Sequence, residues 1–513
     1  MAAYIARRLA LMIPTLVGIT LLVFMLIALS PGGIGASLRV SGGQMEASKA
    51  AQLEAYLEDR YGLDDPVLMQ YVRWLGRISP VKFGTRDQIT PSGEIVRTPK
   101  DVKPMFLGRS WFDGLSLDDA AKARLAALPV GAPLLDQAQI VDEHKAATRA
   151  YAAARASYVA ATRQLKDAVV RYAEETGIAG AVDADGQPVE RALGRYTPDT
   201  TAPSWQPVQA AALETLEAYE TAVALRSRLE RAFDAKPYDE VGIPVLPGIL
   251  SLGPPDFGVA FSRGRPVVDL IAAALPVTML LNLLAIPIIY LIAIPTGMLA
   301  AVRRGKAFDV ASGALFVALW SVPTVWAGVL AIGYLANKQY LGLFPVSGLH
   351  DSDASTYLYL PSWQDGVFAP GYLLDLLWHL ALPVACLVYG GFAVLAKQTR
   401  AAMLDNLSAD YVRTARAKGV PARAVIFRHV FRNSLLPLIT MFVSVFPAML
   451  AGSVVIERIF SVPGMGSLII EAINLRDREL ILANTLMIAC VNLLALLLAD
   501  ILYALADPRV SYD

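Results

Sequence analysis

The amino-acid sequence predicts an all-α, polytopic membrane protein with six transmembrane helices and a large extracytoplasmic helical insertion between the first two. Hydrophobic residues make up 55% of the 513 residues and charged residues only 18%, which is below the roughly 25% of a soluble domain. The apolar residues are concentrated in six segments that each reach the ~20 residues needed to cross a bilayer. A long polar stretch separates the first segment from the other five.

Each apolar segment is predicted to be one membrane-spanning helix because it has few or no interior charges. The six segments are Leu9–Leu29, Ile271–Ala301, Val310–Ala336, Leu376–Ala396, Leu435–Ile456 and Leu480–Ala499. The second contains three prolines, which bend a membrane helix without excluding it, because neighbouring helices satisfy the freed carbonyl groups. The first is predicted to be a retained helix, since its apolar run is longer than the roughly 7–15 residues of a signal peptide.

The distribution of Lys and Arg predicts the orientation, because short cytoplasmic loops are enriched in both. Arg7 and Arg8 precede the first span, and three basic residues follow the second. The loop 397–434 holds eight Lys or Arg against two Asp, whereas the loop from Asn337 to Gly371 holds a single basic residue. Both termini are therefore expected in the cytoplasm.

The polar stretch divides the chain. The expected parts are residues 1–30 with the first helix, 31–266 as a periplasmic segment, and 267–513 as a membrane domain with five helices. Within the periplasmic segment, about residues 82–253 are predicted to be a helical-hairpin insertion. Leu134–Glu175 repeats apolar residues in alternating three- and four-residue steps, and Gln206–Phe233 carries a second apolar stripe. Two such stripes bury each other. The hairpin is either a spacer or a docking surface for a soluble partner.

The sequence lacks the motifs of several functional classes. Its zero net charge does not favour a nucleic-acid partner. There is no G-x-x-x-x-G-K-[ST] phosphate loop, no H-E-x-x-H metal motif and no G-x-S-x-G nucleophile elbow. The four histidines fall in separate regions, and His379 is expected to pack rather than to bind a metal. No catalytic, cofactor-binding or metal-ligating residue is expected, and so no enzyme activity in this chain.

The most informative segment lies in the loop 397–434, where Asp410–Gly419 has the sequence D-Y-V-R-T-A-R-A-K-G. Ser408 is a suitable N-cap and Gly419 a suitable C′ residue, so a short helix is predicted between them. Tyr411 and Ala415 are expected to share one face. A helix of this length is not stable alone and needs a surface to rest on.

This segment resembles the coupling loop of binding-protein-dependent ABC importer permeases, in the dipeptide/oligopeptide (peptide/nickel) branch. That branch has D-Y-[IV]-R-T-A-R-A-K-G and then R-N-[AS]-L-L-P, and this chain continues with R-N-S-L-L-P. Only Ala415 and Gly419 match the general E-A-A-x-x-x-G motif directly. Glu457–Gly466 resembles a second element of the branch, E-x-[IV]-F-x-x-P-G-x-G. The resemblance covers about residues 1–80 and 254–513.

The resemblance implies a type I ABC importer permease fold and an inner-membrane subunit that forms half of a translocation pathway for peptides. The partners it implies are membrane lipid, a second homologous permease, a periplasmic substrate-binding protein, and two ATPase subunits that bind ATP and magnesium. By the same resemblance, the ATPase-coupling residues are Asp410, Tyr411, Arg413, Thr414, Ala415, Arg416, Ala417, Lys418 and Gly419. Which peptide is carried is not encoded in this chain.

The pathway itself is less apparent from the sequence. Candidate lining residues are the serines and prolines of the third and fifth spans, namely Ser321, Pro323, Ser444, Pro447 and Ser453.

Two other functions stay open from the sequence. One is a non-transporting receptor whose external hairpin senses a ligand. The other is an ion-coupled secondary carrier, which is disfavoured because the six predicted spans contain no carboxylate beyond Asp500 at the inner end of the last, and no pair suggests a proton relay.

Overall fold

The computed structural model describes residues 2–29, 55, 58, 62, 65–91, 93, 95–104, 111–129, 136–183, 186–246, 248–260, 263–364, 367–435, 437–442 and 454–506. The chain forms two compact units, one of Met1–Leu29 with Phe257–Asp513 and one of Ser30–Asp256. We call them the membrane unit and the insertion unit.

In chain order the α-helices are α1 (Ala2–Leu29), α2 (Val67–Ile78), α3 (Asp119–Ala126), α4 (Gln137–Thr176), α5 (Glu190–Leu193), α6 (Trp205–Asp234), α7 (Val267–Val302), α8 (Ala307–Ser321), α9 (Thr324–Leu330), α10 (Gly371–Leu407), α11 (Asp410–Ala417), α12 (Ala422–Ala424), α13 (Val454–Ile459), α14 (Met465–Asn474) and α15 (Arg478–Ala506). Short π-helical segments follow α9 at Ala331–Ala336 and α12 at Val425–Phe431, and a 3₁₀ turn lies at Ala354–Thr356. The strands are β1 (Val81–Phe83), β2 (Gln88–Ile89), β3 (Ile95–Val96), β4 (Asp239–Glu240), β5 (Ile243–Leu246), β6 (Leu250–Leu252), β7 (Ser362–Gln364) and β8 (Val367–Ala369).

Four helices of the membrane unit are long and apolar enough to cross a bilayer: α1, α7, α10 and α15. They confirm the first, second, fourth and sixth predicted spans as long apolar helices. Helix α7 continues through its three prolines, as predicted. Most of the fifth predicted span, Leu435–Ile456, lies outside the described residues.

The third predicted span is not one helix. Helices α8 and α9 with the following π-helical segment together pass the same test of length and hydropathy, but they meet at an angle of 85°. At the break, Val322 and Pro323 have extended backbone, with ψ of 114° and 139°, as expected for proline and the residue before it. The Tyr389 hydroxyl of α10 donates to the exposed carbonyl of Val322 at 2.9 Å. The prediction of a continuous helix over Val310–Ala336 is therefore wrong.

Helices α7 and α10 form the centre of the membrane unit, and their small residues allow close approach. A side chain at Gly297 would meet the carbonyl oxygen of Ala396 at 2.5 Å, so this crossing requires glycine. Helix α8 is attached to the same core, because Arg400 of α10 donates to both carboxylate oxygens of Asp309, at 2.5 and 2.9 Å.

The E-R-I-F-S-V-P-G-M-G segment has a structural role as a helix cap. Glu457 is fully buried; its carboxylate accepts a hydrogen bond from the Thr278 hydroxyl and another from the backbone N–H of Ser467, both at 2.9 Å. It thereby satisfies the N-terminus of α14, where unpaired N–H groups favour an anion. A Cβ at Gly464 would lie 2.6 Å from this carboxylate, so the glycine provides the space that the cap needs.

The insertion unit is built on a pair of long helices, α4 and α6. The predicted seam residues are all buried: Tyr151, Ala154, Tyr158, Ala161, Leu165, Ala168 and Tyr172. The first part of the seam, Tyr151 to Tyr158, packs with Ala222, Leu225 and Leu229, and the part from Leu165 to Tyr172 packs with Trp111 and Trp205. This confirms the two predicted helices and their apolar stripes.

A charged pair crosses between the two helices. Arg228 of α6 donates to both carboxylate oxygens of Glu143 in α4, at 2.7 and 2.8 Å. Both side chains are mostly buried, and the hydrogen bonds from Arg228 hold the pKa of Glu143 below its usual value. The pair therefore favours one register of the hairpin.

Short strands that were not predicted complete the insertion unit. They form two antiparallel three-stranded sheets, in the orders β1-β6-β5 and β3-β2-β4. Strand β1 pairs with β6, which places Val81 opposite Leu252 and Phe83 opposite Leu250. In the membrane unit, β7 and β8 form a separate hairpin in the loop that leads to α10.

Candidate functional site

Helix α11 is the short helix predicted from the D-Y-V-R-T-A-R-A-K-G segment. It has eight residues and begins after Ala409, which takes the N-cap position without a side-chain cap. The Ser408 hydroxyl instead donates to the carbonyl of Asp405 at 2.9 Å. The predicted N-cap at Ser408 is therefore wrong by one residue, because this side chain closes the last turn of α10.

The C-terminus of α11 has the predicted glycine cap. Gly419 has a φ of 74°, a left-handed conformation that glycine adopts without steric cost. Its N–H donates to the carbonyl of Arg416 at 3.0 Å, and the N–H of Val420 donates to the carbonyl of Ala415 at 3.2 Å. This pair of bonds is the Schellman motif, and it confirms Gly419 as the C′ residue.

One face of α11 is buried in the membrane unit. Val412 is fully buried and Ala415 is 7% exposed. Both pack into an apolar cluster with Met298 and Ala301 at the end of α7, Met403 of α10, and Val425 and Val430. The small side chain of Ala415 permits this close packing within the chain. Tyr411, which was expected on the same face as Ala415, is 38% exposed and is not part of the buried face.

The opposite face of α11 is exposed and mainly cationic. Its exposed residues are Asp410, Tyr411, Arg413, Thr414, Arg416, Ala417, Lys418 and Gly419, which provide three positive charges against one carboxylate. The Arg413 guanidinium lies 3.3 Å from the Asp410 carboxylate, but both side chains are largely in solvent, so this pair adds little stability. The face is thus available to another protein surface.

A hydrogen-bond chain also attaches α11 to α10. The Tyr411 hydroxyl donates to Oδ1 of Asn406 at 2.7 Å. Nδ2 of Asn406 in turn donates to the Ser434 hydroxyl at 3.1 Å and to the Ala402 carbonyl at 2.9 Å. Ser434 is fully buried and belongs to the R-N-S-L-L-P motif. Neither Asn406 nor Ser434 was among the site residues predicted from the sequence. The serine of the R-N-S-L-L-P motif is the sequence feature that could have indicated Ser434.

Of the candidate pathway residues, two are described. Ser321 and Pro323 both lie exposed at the bend between α8 and α9, and the Ser321 hydroxyl donates to the carbonyl of Val317 at 2.8 Å. Ser444, Pro447 and Ser453 lie outside the described residues. The bend and α11 do not form one site, but both contact α10.

Comparisons with known proteins identify the family. Residues 293–512, which include α11, match the family described as binding-protein-dependent transport system inner membrane component. The chain is 38% identical over 259 residues to the inner membrane ABC transporter permease protein YejB of Escherichia coli O157:H7, which covers 50% of this chain and 68% of that relative. This chain belongs to the family of binding-protein-dependent inner-membrane transport components. The permease is therefore a transport subunit of an ABC system, and ATP hydrolysis takes place in separate subunits.

Two further relatives support the same assignment. The permease is 38% identical over 259 residues to the oligopeptide transport system permease protein AppB of Bacillus subtilis, covering 50% of this chain and 76% of the relative. It is also 38% identical over 244 residues to the di/tripeptide transport system permease protein DppB of Pseudomonas aeruginosa, covering 46% and 71%. The predicted family is confirmed, with an ATPase and a substrate-binding protein as partners.

Proposed function

We propose that this permease imports peptides and forms half of a translocation pathway with a second homologous permease. Support for a peptide substrate comes from the names of the two relatives with oligopeptide and di/tripeptide transport systems. Two ATPase subunits would drive the cycle with ATP and magnesium. Membership of the family leaves no support for the receptor and secondary-carrier alternatives.

The observation that carries the coupling proposal is the two-sided character of α11. Its cationic face is exposed, while Val412 and Ala415 on the other side are packed against α7 and α10. A short helix held in this way transmits displacement, because a close-packed interior moves as a unit rather than deforming. We infer that an ATPase subunit binds the exposed face and that its movement passes to α7 and α10.

The orientation of the chain follows from the same proposal. The basic residues around α11 favour the cytoplasmic side, where the ATPase subunits would be. Both termini are placed in the cytoplasm, and the insertion unit is placed in the periplasm as a spacer. The other role that stays open for the insertion unit is that of a docking surface for a soluble partner.

Substitution of one exposed cation tests the coupling proposal. We expect Arg416→Glu to lower ATP-driven uptake of a labelled oligopeptide into proteoliposomes by at least about tenfold. The substitution removes the contacts of a cation at the proposed interface and puts a negative charge in its place. Less ATPase should co-purify with the variant. Lys306→Glu is the matched control, since Lys306 is also exposed on the proposed cytoplasmic side but outside α11. Wild-type uptake and wild-type ATPase recovery in Arg416→Glu would contradict the proposal.

A further inference from the structure

A compact group of potential metal ligands lies at the end of α10 opposite to α11. Asp375 and His379 are one turn apart in the first part of α10, and Asp351 comes from the loop before it. Each of the three offers one ligand atom, and these atoms lie within 4.8 Å of one another. The side chains of His379 and Asp375 are 3% and 5% exposed, whereas that of Asp351 is 61% exposed. The group is thus built from two buried ligands and one that faces solvent.

The hydrogen bonding of His379 leaves one ring nitrogen suited to a metal. Nδ1 lies 3.0 Å from the carbonyl oxygen of Asp375, and since a carbonyl only accepts, Nδ1 carries the proton. Nε2 then has the free lone pair, which is the arrangement common among metal-binding histidines. Nε2 is 3.7 Å from Oδ1 of Asp351, too far for a hydrogen bond. Two ligand atoms at about 2.0–2.2 Å from one zinc ion lie roughly 3–3.5 Å apart, which is close to the spacing between Nε2 of His379 and Oδ1 of Asp351. Oδ1 of Asp375 lies 3.3 Å from Nδ1 of His379, so the carboxylate of Asp375 has to turn toward Nε2 to complete the site.

The charges around Asp375 also favour a cation. Among the residues that the structure describes, its ion-pair partners are the imidazoles of His350 and His379. Oδ2 of Asp375 lies 3.1 Å from Nδ1 of His350 and accepts a hydrogen bond from the backbone N–H of Asp351, also at 3.1 Å. No Lys or Arg of the described chain forms an ion pair with Asp351 or Asp375. A buried carboxylate beside a second carboxylate requires a compensating charge.

We propose that Asp351, Asp375 and His379 bind one divalent transition-metal ion, with Zn²⁺ the preferred ion. One imidazole nitrogen with two carboxylate oxygens suits zinc, whereas Mg²⁺ and Ca²⁺ prefer all-oxygen sites. The exposed Asp351 gives the ion a route of entry, and His350 holds Asp375 from outside the ligand set. The bound ion joins the loop between α9 and α10 to α10 itself. This inference goes beyond the proposed transport function and departs from the expectation that the chain has no metal ligand.

The test measures metal bound to the full-length permease, purified with its partner subunits through a tag that contains no histidine. After equilibrium dialysis against Zn²⁺ with Mg²⁺ in excess, we expect about one zinc per permease above the zinc bound by the partners alone. Asp351→Asn should weaken zinc binding by at least about tenfold, in line with loss of a ligand. Asp353→Asn is the matched control, because Asp353 is an exposed carboxylate of the same loop outside the group.

A second measurement separates this site from adventitious binding. Co²⁺ in place of zinc should give visible d–d absorption bands that change in His379→Gln and are unaffected in Asp353→Asn. The proposal is overturned if wild-type permease binds no stoichiometric zinc, or if Asp351→Asn and wild type bind it equally. Because Asp351 is exposed, Asp351→Asn is expected to fold. The zinc-binding test therefore decides the proposal even if His379→Gln cannot be purified.

Discussion

Truncation of Val412 to alanine tests whether the packing under α11 holds this helix in place. Val412 is fully buried among Met298, Ala301, Met403 and Val425. The substitution removes two methyl groups, worth about 0.8 kcal/mol each in transfer free energy, and leaves a cavity. Together these terms give a cost of about 2–3 kcal/mol.

This cost is expected to appear as local opening of α11. A two-turn helix is not stable without tertiary contacts, so the loss of packing shifts the helix toward a detached state. Because about 1.4 kcal/mol corresponds to a tenfold change in an equilibrium constant, opening should increase roughly 30- to 150-fold. Hydrogen exchange of the amides of residues 410–420 in the purified complex measures it, and peptide uptake should fall in parallel.

Arg416→Ala is the companion variant for this experiment. It alters the exposed face of α11 and leaves Val412 in place, so exchange should match wild type while uptake falls. If Val412→Ala changes exchange in this segment by less than about threefold, which corresponds to about 0.65 kcal/mol and so to less than one buried methyl group, then apolar packing does not hold α11 in place.

Three further substitutions have defined outcomes. Gly419→Ala forces a left-handed conformation at φ 74° and should cost about 1–2 kcal/mol, measured as faster exchange at the end of α11 with exchange in α10 unchanged. Gly464→Ala places a Cβ 2.6 Å from the buried carboxylate of Glu457 and should lower the melting temperature of the permease, whereas an unchanged melting temperature would mean that the cap has room to move. Glu143→Gln removes a carboxylate whose pKa is lowered by Arg228. The wild-type advantage in thermal stability should be complete at pH 7, shrink below about pH 4.5, and vanish once the folded-state carboxyl is protonated; a pH-independent difference would contradict this linkage.

The sequence predicted best where a periodic pattern is also a packing surface. The three- and four-residue steps from Tyr151 to Tyr172 correspond to a buried seam, because a helix that repeats apolar residues this way has a single continuous face to bury. Hydropathy likewise located the long apolar helices of the membrane unit, since crossing a bilayer sets a minimum length.

The sequence predicted less well where neighbours distant along the chain decide the outcome. Pro287 lies within a continuous helix, whereas Pro323 marks a sharp break, although the local sequence is apolar around both. Spacing placed Tyr411 and Ala415 on one face, but it could not tell which side of α11 the rest of the chain would cover. Asp351 and His379 lie close together only because of the conformation of the loop before α10, and no local sequence motif predicts this proximity.

The pairing of β1 with β6 brings the two ends of the intervening polypeptide together. Phe83 faces Leu250 across the ladder, and the N–H of Gly84 donates to the carbonyl of Ile249 at 3.1 Å. The chain thus departs and comes back at neighbouring positions, where a two-residue Asn-Gly turn would close an ordinary β-hairpin. Excision of residues 84–249 at this point would keep β1 and β6 as a hairpin, but it would also remove Lys100 and Lys103, which pair with the buried carboxylate of Asp65. A shortened chain therefore needs a neutral residue at position 65 as well as the turn.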